Sequence, residues 1–284
     1  MSKMFESVDD TWNVVKGCRH GCTWCWARAC AETRLKHNPR YRDGFEPAFF
    51  PSDLEKRFKP GQLVLVTEMG DLFGNWVPGP WIAAVLGAIR ARPRTDFLLM
   101  TKNPARYHSW TWLLPRNACI GTTIETNRPH GGTRAPQPEE RALAMMTHSH
   151  PCKFVSIEPL MDFDLPVLLN WIEAIAPDIV EIGADSYGNN LPEPCEEKAR
   201  ELIAELSRLP LDLHIKDTTE RLLGHPVGPM KPTPSVRQAH SSAGLSDMSM
   251  GTRSLSLRVW ESGEEGESFP YWVPFRNATL STEN

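Results

Sequence analysis

The sequence predicts an α/β protein built as a partial or complete (β/α) barrel, followed by an irregular C-terminal tail. Seven short apolar segments, rich in Val, Ile and Leu, recur between residues 11 and 217. Stretches with a helical spacing of apolar residues separate most of these segments. The apolar segments are nearly continuous rather than alternating, which is typical of parallel strands that are covered on both faces.

The predicted strands, in chain order, are residues 11–17, 62–68, 96–102, 117–125, 152–158, 178–184 and 211–217. The predicted helices are residues 25–37, 79–92, 138–149, 165–176 and 195–209. In the second helix the apolar residues fall on one face, at Trp81, Ile82, Val85, Leu86 and Ile89. This succession favours a barrel over a two-layer sandwich, with a doubly wound open sheet as the alternative. Both arrangements place a ligand site at the carboxyl ends of the strands.

The sequence changes character after residue 228. Residues 228–254 are rich in Pro, Ser and Gly, which is typical of a linker. The residues that follow contain enough aromatic side chains to dock as a short hairpin or lid. We therefore expect a barrel domain over residues 1–228, and a linker with a C-terminal extension over residues 229–284.

The composition indicates a cytoplasmic protein without a membrane partner. The 284 residues carry a net charge of −4, and no apolar run is long enough to span a bilayer. The first ten residues include acids where a secretion signal needs an apolar core. Thiols stay reduced in the cytosol, so metal or catalytic use of the seven cysteines is favoured over disulfides.

Basic residues are concentrated around the first cysteines. Residues 16–42 contain one acid, Glu32, and seven basic residues: Lys16, Arg19, Arg28, Arg34, Lys36, Arg40 and Arg42. Such a run is usually a solvated face. Beside a reactive site, a positive surface also favours a phosphate-bearing partner.

Four of the cysteines lie between residues 18 and 30. Cys18, Cys22 and Cys25 have the spacing C-x3-C-x2-C in a loop after the first predicted strand. Three thiolates on an iron–sulfur cube leave one iron with an open position, which a substrate-binding site requires. The alternatives are inert thiols, or zinc with His20 or Cys30 as the fourth ligand, although no second C-x2-C pair follows. The remaining cysteines are interpreted as packing residues: Cys30, Cys119, Cys152 and Cys195.

The spacing resembles the hallmark of the radical S-adenosylmethionine superfamily, which favours an aromatic residue before the third cysteine, as Trp24 is here. The resemblance implies a radical S-adenosylmethionine type of (β/α) barrel and a [4Fe-4S] cluster on Cys18, Cys22 and Cys25. In that family the open iron chelates the amino and carboxylate groups of S-adenosyl-L-methionine. An electron from the cluster then cleaves a C–S bond and releases a 5′-deoxyadenosyl radical. An external reductant such as a flavodoxin is implied as the electron donor.

Polar residues follow six of the predicted strands, at the end where a barrel places its site. They are Glu68 and Asp71, Thr101 and Lys102, Thr123, Glu125 and Thr126, Ser156 and Glu158, Gly183, Asp185 and Ser186, and Lys216 and Asp217. A single acid in such a place is more often a helix N-cap or an ion-pair partner than a catalyst. A set that comes from six strands favours a shared polar site.

The resemblance implies roles for several of these residues. The family binds the amino group of S-adenosylmethionine after the second strand, often with Gly-Gly-Glu, and this chain departs from that pattern. Asp71 is favoured for the task, with Glu68 second. The other expected cofactor-binding residues are Trp24, Thr101, Glu125 and Gly183.

Three residues are expected to be catalytic: Glu158, Lys216 and Lys102. The two lysines are suited to neutralise carboxylates or phosphates. Glu158 is suited to bind a ribose or to orient the substrate.

Longer stretches resemble a family of phage-encoded and bacterial radical S-adenosylmethionine-like proteins. They are TWNVVKGCRHGCTWCWA (11–27), GDLFG (70–74), FLLMTKNPARY (97–107), VSIEPLM (155–161), EIGADS (181–186) and HIKD (214–217). Phage members are linked to thymidine hypermodification, in which a radical enzyme rearranges an amino acid attached to the thymine methyl carbon. The resemblance implies an isomerase acting on modified DNA or a modified nucleoside, in the host cytoplasm. Trp24, Trp26 and Trp76 are expected to be exposed and to meet a flipped base.

Other functions stay open. The IEP sequence at 157–159 resembles the spore photoproduct lyase branch, which implies a radical lyase or repair enzyme acting on nucleic acid. A nucleic-acid-binding protein with a zinc-clipped loop is a further alternative. The missing Gly-Gly-Glu also leaves room for a degenerate barrel that serves only as a partner protein.

Overall fold

The computed structural model of the chain describes Phe5 and residues 7–224. The predicted barrel domain falls almost entirely within this range. The linker and extension predicted over residues 229–284 lie outside the described residues.

Seven parallel strands form one sheet. In sheet order they are β1 (Asp10–Trp12), β4 (Leu63–Val66), β5 (Asp96–Thr101), β6 (Ala118–Thr123), β7 (Lys153–Ile157), β8 (Ile179–Ile182) and β9 (Asp212–Ile215). The order of the strands in the sheet is the same as their order along the chain. The sheet therefore winds in one direction and curls into a half-barrel. The predicted partial (β/α) barrel is confirmed. The doubly wound alternative is wrong, because such a sheet reverses its strand order near the middle.

The helices of the described residues are α1 (Trp26–Glu32), α2 (Gly79–Arg90), α3 (Pro138–Thr147), α4 (Leu165–Ile175), α5 (Glu196–Leu206) and α6 (Glu220–Leu223). Helices α2 to α5 end within three residues of the predicted bounds. Helix α1 ends five residues early, because the amide of Leu35 donates to Cys30 O and leaves the i to i−4 ladder. The single turn of α6 was too short to predict. No described helix is long and apolar enough to cross a bilayer.

The first predicted strand is wrong as one continuous strand. It divides into β1 and β2 (Val15–Lys16), and β2 pairs with the unpredicted β3 (Ala48–Phe49) in a separate antiparallel ladder. The chain leaves the main sheet at Asn13, whose side-chain oxygen accepts from the amide of Met69 at 2.9 Å. This departure directs the residues after β2 towards the end of the sheet.

The two faces of the sheet carry different contacts. Alternate side chains such as Phe97, Ile120 and Val155 pack in the main core with the helices. The other face carries a smaller core that includes Leu98 and Phe154. Because helices lie outside the strands in a (β/α) barrel, we call this second face the inner face.

The structure corrects the interpretation of three cysteines. Cys119 and Cys152 lie at the beginnings of neighbouring strands on the inner face, where a disulfide joins them. They are buried as expected, but they are not free thiols, because strand pairing brings their Cα atoms within 4.7 Å. Cys195 is exposed at the N-cap of α5 rather than packed.

Candidate functional site

The motif cysteines lie in a loop between β2 and α1, packed on the loop that follows β4. The amide of Gly17 donates to Met69 O at 2.8 Å, and Gly17 forms a parallel bridge with Gly70. A Cβ on Gly70 would lie 2.8 Å from the nitrogen of Gly17, and a Cβ on Gly17 would lie 2.4 Å from Glu46 O. Glycine at position 70 therefore allows the close contact with Gly17, and glycine at position 17 allows the close approach of Glu46.

Backbone amides are directed at two of the three sulfurs. The amide nitrogen of His20 lies 3.4 Å from Cys18 Sγ, and that of Arg28 lies 3.4 Å from Cys25 Sγ. Burial raises the pKa of both thiols. Amide donors favour the thiolate form, and hydrogen bonds to sulfur tune iron–sulfur clusters. The loop therefore offers donors suited to cluster-bound thiolates.

The same cysteines are not arranged around a single metal ion. Among the described residues, no three His, Cys, Asp or Glu side chains form a group that could hold one. Zn–S bonds of about 2.3 Å bring the sulfur atoms of a zinc site within about 4 Å of each other. An iron–sulfur cube holds its thiolates farther apart, because the core lies between them. The spacing of the motif and its amide donors fit the cube.

A segment between β6 and α3, residues 130–135, covers the cysteine loop, and we call it the strap. Thr133 Oγ1 lies 3.2 Å from Cys22 Sγ. A Cβ on Gly132 would lie 2.4 Å from the ring of Trp24, so the strap passes directly against that indole. Sequence reasoning missed the strap, although the Gly-Gly pair within it was a signal of close packing.

Asp71 links the cysteine loop to the end of β5. Its carboxylate accepts hydrogen bonds from Thr101 Oγ1 (2.7 Å), from the amides of Phe73 (2.9 Å) and Lys102 (3.0 Å), and contacts His20 Nε2 at 2.9 Å. Burial alone would raise the pKa of Asp71, but His20 and the other donors hold it below the ordinary 3.8. Asp71 and Thr101 are thus engaged within the protein. Their binding of S-adenosylmethionine stays a prediction.

Five predicted site residues fall on the inner face: Lys102, Glu125, Glu158, Gly183 and Lys216. Side chains on a strand alternate between its two faces. Each of these residues is separated by an even number of positions from a residue of its own strand that lies on the inner face, so its side chain is directed to that face as well. Lys102 Nζ forms an ion pair with Glu125 Oε1, and Lys216 Nζ pairs with Glu158 Oε2 at 2.7 Å. The structure therefore brings together the three residues that we expected to be catalytic.

A third charged residue completes the pair of Lys102 and Glu125. Arg141 of α3 is fully buried, with Nη2 at 2.7 Å from Glu125 Oε2 and Nη1 donating to Thr123 O. Burial lowers the pKa of Lys102 to about 8 and that of Arg141 to about 10. Sequence reasoning missed Arg141. Its signal was a charge on the otherwise apolar face of α3, beside Ala142 and Met145.

Gly183 leaves space for the second ion pair. A Cβ at this position would lie 2.8 Å from Glu158 Cδ and 2.9 Å from Lys216 Cδ. Burial raises the pKa of Glu158, while Lys216 and Lys102 oppose that rise. The two ion pairs of the inner face are therefore close enough to interact electrostatically.

We expect Gly183→Ala to separate Glu158 from Lys216 and to lower the free energy of unfolding by about 1–3 kcal/mol, as overpacking does. Urea denaturation measures the change. The matched control is Gly87→Ala in α2, where a Cβ meets nothing within 4 Å. That change should stabilise by about 0.5–1 kcal/mol, because alanine favours a helix over glycine. Equal stability of the Gly183→Ala protein and the wild type would show that the pair tolerates a Cβ.

Other predicted residues lie differently. Glu68 is half-buried on the α1 side of the loop, where its charge helps to raise the pKa of Tyr41, after burial. Trp24, Trp26 and Trp76 are partly buried, so the prediction that they are exposed is wrong. They pack against the loops around the cysteines: Trp76 contacts His20, with ring centroids 4.7 Å apart.

The basic run of residues 16–42 is partly neutralised. Four of its arginines form ion pairs with carboxylates: Arg19 with Glu46, Arg28 with Glu32, Arg40 with Asp53 and Arg42 with Asp43. Lys16 donates to the uncharged carbonyl of Gly44. Three of the four carboxylates come from residues 43–53, which the charge count of the run did not include. The run therefore gives less support to a phosphate-bearing partner than its composition suggested.

The model of a family described as "Protein of unknown function (DUF5131)" matches residues 2–191, about two thirds of the chain. No match to a curated protein was found.

The fold is similar to solved structures at low sequence identity. A spore photoproduct lyase double mutant with bound AdoMet and dinucleoside spore photoproduct is 11% identical over 70% of this chain, with a TM-score of 0.46. Streptococcus suis SuiB bound to S-adenosylmethionine is 9% identical over 73% of this chain, with a TM-score of 0.48. The chain spans 61% of the first structure and 49% of the second. These TM-scores are below 0.5, and the fold class is assigned from the strand order of this chain itself.

Proposed function

The chain belongs to the DUF5131 family, and from the site of this member we propose that it is a radical S-adenosylmethionine enzyme. One observation carries the proposal. The C-x3-C-x2-C loop is packed at the carboxyl end of a half-barrel sheet, beside an inner face with two largely buried lysines, one of which is linked through Glu125 to the buried Arg141 of α3. That combination supports the proposal, because three cysteines with the spacing of cluster ligands lie next to charged groups that are suited to hold polar reactants.

Cys18, Cys22 and Cys25 would hold a [4Fe-4S] cluster with one open iron. When bound, the cluster and S-adenosylmethionine supply an electron and an adenosyl radical for hydrogen abstraction. Asp71 fixes the cysteine loop through His20. Buried cations favour bound anions, so Lys102 is suited to a carboxylate of the cofactor or substrate.

Glu158 and Lys216 come later in the sequence. They lie on the same inner face and are suited to position the substrate. Their ion pair gives a buried site one acceptor and one donor, which can orient a polar group. The two side chains are only 12% and 19% exposed, so contacts with a ligand are stronger there than on the surface.

The narrower proposal concerns the substrate. We propose an isomerase that rearranges an amino acid attached to thymidine during hypermodification of phage DNA. The stretches at 70–74 and 97–107 that carry the resemblance are in direct contact: Asn103 Nδ2 donates to Phe73 O at 2.9 Å. The contact supports a site that these two stretches share. A radical lyase or repair activity on nucleic acid is the other outcome of the test below.

The first experiment is an anaerobic purification with iron, sulfide and zinc analysis, followed by reduction in the presence of S-adenosylmethionine. We expect a brown protein with about four irons per chain that forms 5′-deoxyadenosine. A colourless protein with one zinc, inert toward S-adenosylmethionine after cluster reconstitution, would contradict the proposal and favour a zinc-clipped nucleic-acid-binding protein.

The second experiment addresses the substrate. The reduced protein is incubated with S-adenosylmethionine and with DNA that carries aminoacyl-thymidine. The nucleosides are then separated by liquid chromatography and identified by mass spectrometry. A new nucleoside with the mass of the substrate and a different retention time supports the isomerase. Restoration of two thymines from DNA that contains a thymine dimer adduct would favour the lyase. If neither substrate is turned over, both nucleic-acid proposals are contradicted. The first experiment then decides by itself whether the protein performs radical chemistry.

A further inference from the structure

A buried charge network lies beside the cysteine loop. It consists of Lys102, Glu125 and Arg141, which we call the inner network. Glu125 contacts Lys102 through Oε1 and Arg141 through Oε2. Glu125 and Arg141 are fully buried, and the Lys102 side chain is 17% exposed. With all three ionised, the network carries a net charge of +1 in a region from which water is largely excluded.

Two sets of contacts connect the network to the motif cysteines. The amide of Lys102 donates to Asp71, whose partners also include His20 in the cysteine loop. Lys102 Nζ also lies 5.4 Å from the ring centroid of Trp24, between Cys22 and Cys25 in the sequence. Cys22 in turn acts on the network. Burial has the largest effect on the pKa of Lys102 and of Arg141 and lowers both; the charge of Cys22 has the next largest effect and raises both.

We propose that the inner network sets the reduction potential of a cluster bound at Cys18, Cys22 and Cys25. The inference rests on the proposed function. Three thiolates on a [4Fe-4S] core of charge 2+ give a total of −1, and one added electron makes it −2. A buried net positive charge nearby stabilises the reduced form more than the oxidised form, so it raises the potential. Glu125 opposes this effect and also holds both cations in place.

Other charges face the same loop. Asp71 acts on Cys18 in the opposite sense and raises the pKa of its thiol, after burial. Arg28 lowers the pKa of Cys25 against the larger effect of burial. These groups set the starting value of the potential, and they remain unchanged when the inner network is altered. The sign of each shift therefore depends only on the charge that is removed.

The test is an anaerobic redox titration with dithionite, followed by the visible absorbance and electron paramagnetic resonance of the cluster. Lys102→Met removes a positive charge, so we expect the equilibrium constant for reduction to fall about tenfold, which is about 59 mV for a one-electron couple. Glu125→Gln removes a negative charge and should shift the potential in the opposite direction. Lys102→Arg keeps the charge and is the matched control, with no shift expected.

The outcomes separate the inference from the proposed function. A protein that takes up no cluster overturns both. A cluster whose potential is equal in the Lys102→Met and Lys102→Arg proteins overturns the inference alone. Glu125→Gln leaves a buried network altered, so circular dichroism and iron content are compared first. If that variant does not fold, the two lysine variants decide the question by themselves.

Discussion

Replacing Cys22 with alanine is expected to remove the cluster and abolish 5′-deoxyadenosine formation while leaving the fold intact. An iron–sulfur cube held by three thiolates loses one of its three protein ligands when Cys22 is replaced. Cys22 is the suitable choice, because within the described part of the chain its Sγ makes a single hydrogen bond, with Thr133 Oγ1 at 3.2 Å. Cys25 also accepts from the amide of Arg28 at the start of α1, so its replacement would remove a helix cap as well.

The matched control is Cys30→Ala. Cys30 lies in α1, partly buried against a small core, and is outside the C-x3-C-x2-C spacing. We expect that protein to keep its iron, its colour and its activity. Iron analysis, the visible spectrum and the thermal unfolding temperature are measured for both variants. Full iron content in the Cys22→Ala protein, or loss of iron in the Cys30→Ala protein, would contradict the ligand assignment.

Asp71→Asn is expected to destabilise the fold by about 3 kcal/mol, because an amide cannot accept from every donor that surrounds the carboxylate. His20, Thr101, Phe73 and the amide of Lys102 all contact it. The loss should also loosen the cysteine loop, since His20 belongs to it. Urea denaturation gives the stability, and cluster uptake gives the effect on the loop. Asp43→Asn is the control, because Asp43 is 77% exposed.

The pH dependence gives a second readout for Asp71. Its pKa is lowered in the folded protein, so the ionised carboxylate contributes stability that is present above about pH 3.8, its ordinary value. That contribution is lost as the pH falls from there toward the lower folded pKa. The difference in unfolding free energy between wild type and Asp71→Asn should therefore shrink as the pH falls below 3.8. A difference that stays constant would show that the charge of Asp71 adds nothing to stability.

The local features of the structure could be predicted from the sequence. Continuous apolar segments and the helical spacing between them predicted the strands and α2 to α5, because burial on both faces constrains every residue of a parallel strand. The cysteine spacing predicted the ligand loop, since three thiols must come from a short segment to surround one inorganic core. The alternation of side chains directed Lys102, Glu125, Glu158, Gly183 and Lys216 to one face. These features depend on neighbours within a few residues.

Charge was the property that the sequence predicted least well. The basic run at 16–42 looked unopposed until the fold brought Glu46 and Asp53 to it. The tryptophans around the cysteines looked exposed until the strap and the loop after β4 packed against them. In both cases the partner lies far along the chain or outside the stretch that was considered.

The sequence by itself predicted a partial or complete (β/α) barrel and singled out Cys18, Cys22 and Cys25 as the expected ligands, because both predictions follow from patterns of short range. The tertiary structure alone decided that Asp71 is a fully engaged link, that Arg141 joins Lys102 and Glu125, and that Cys119 meets Cys152. The physical reason is the same for all three. Burial and pairing depend on which distant segments the folded chain brings into contact, and a residue carries no sign of a partner that is tens of positions away.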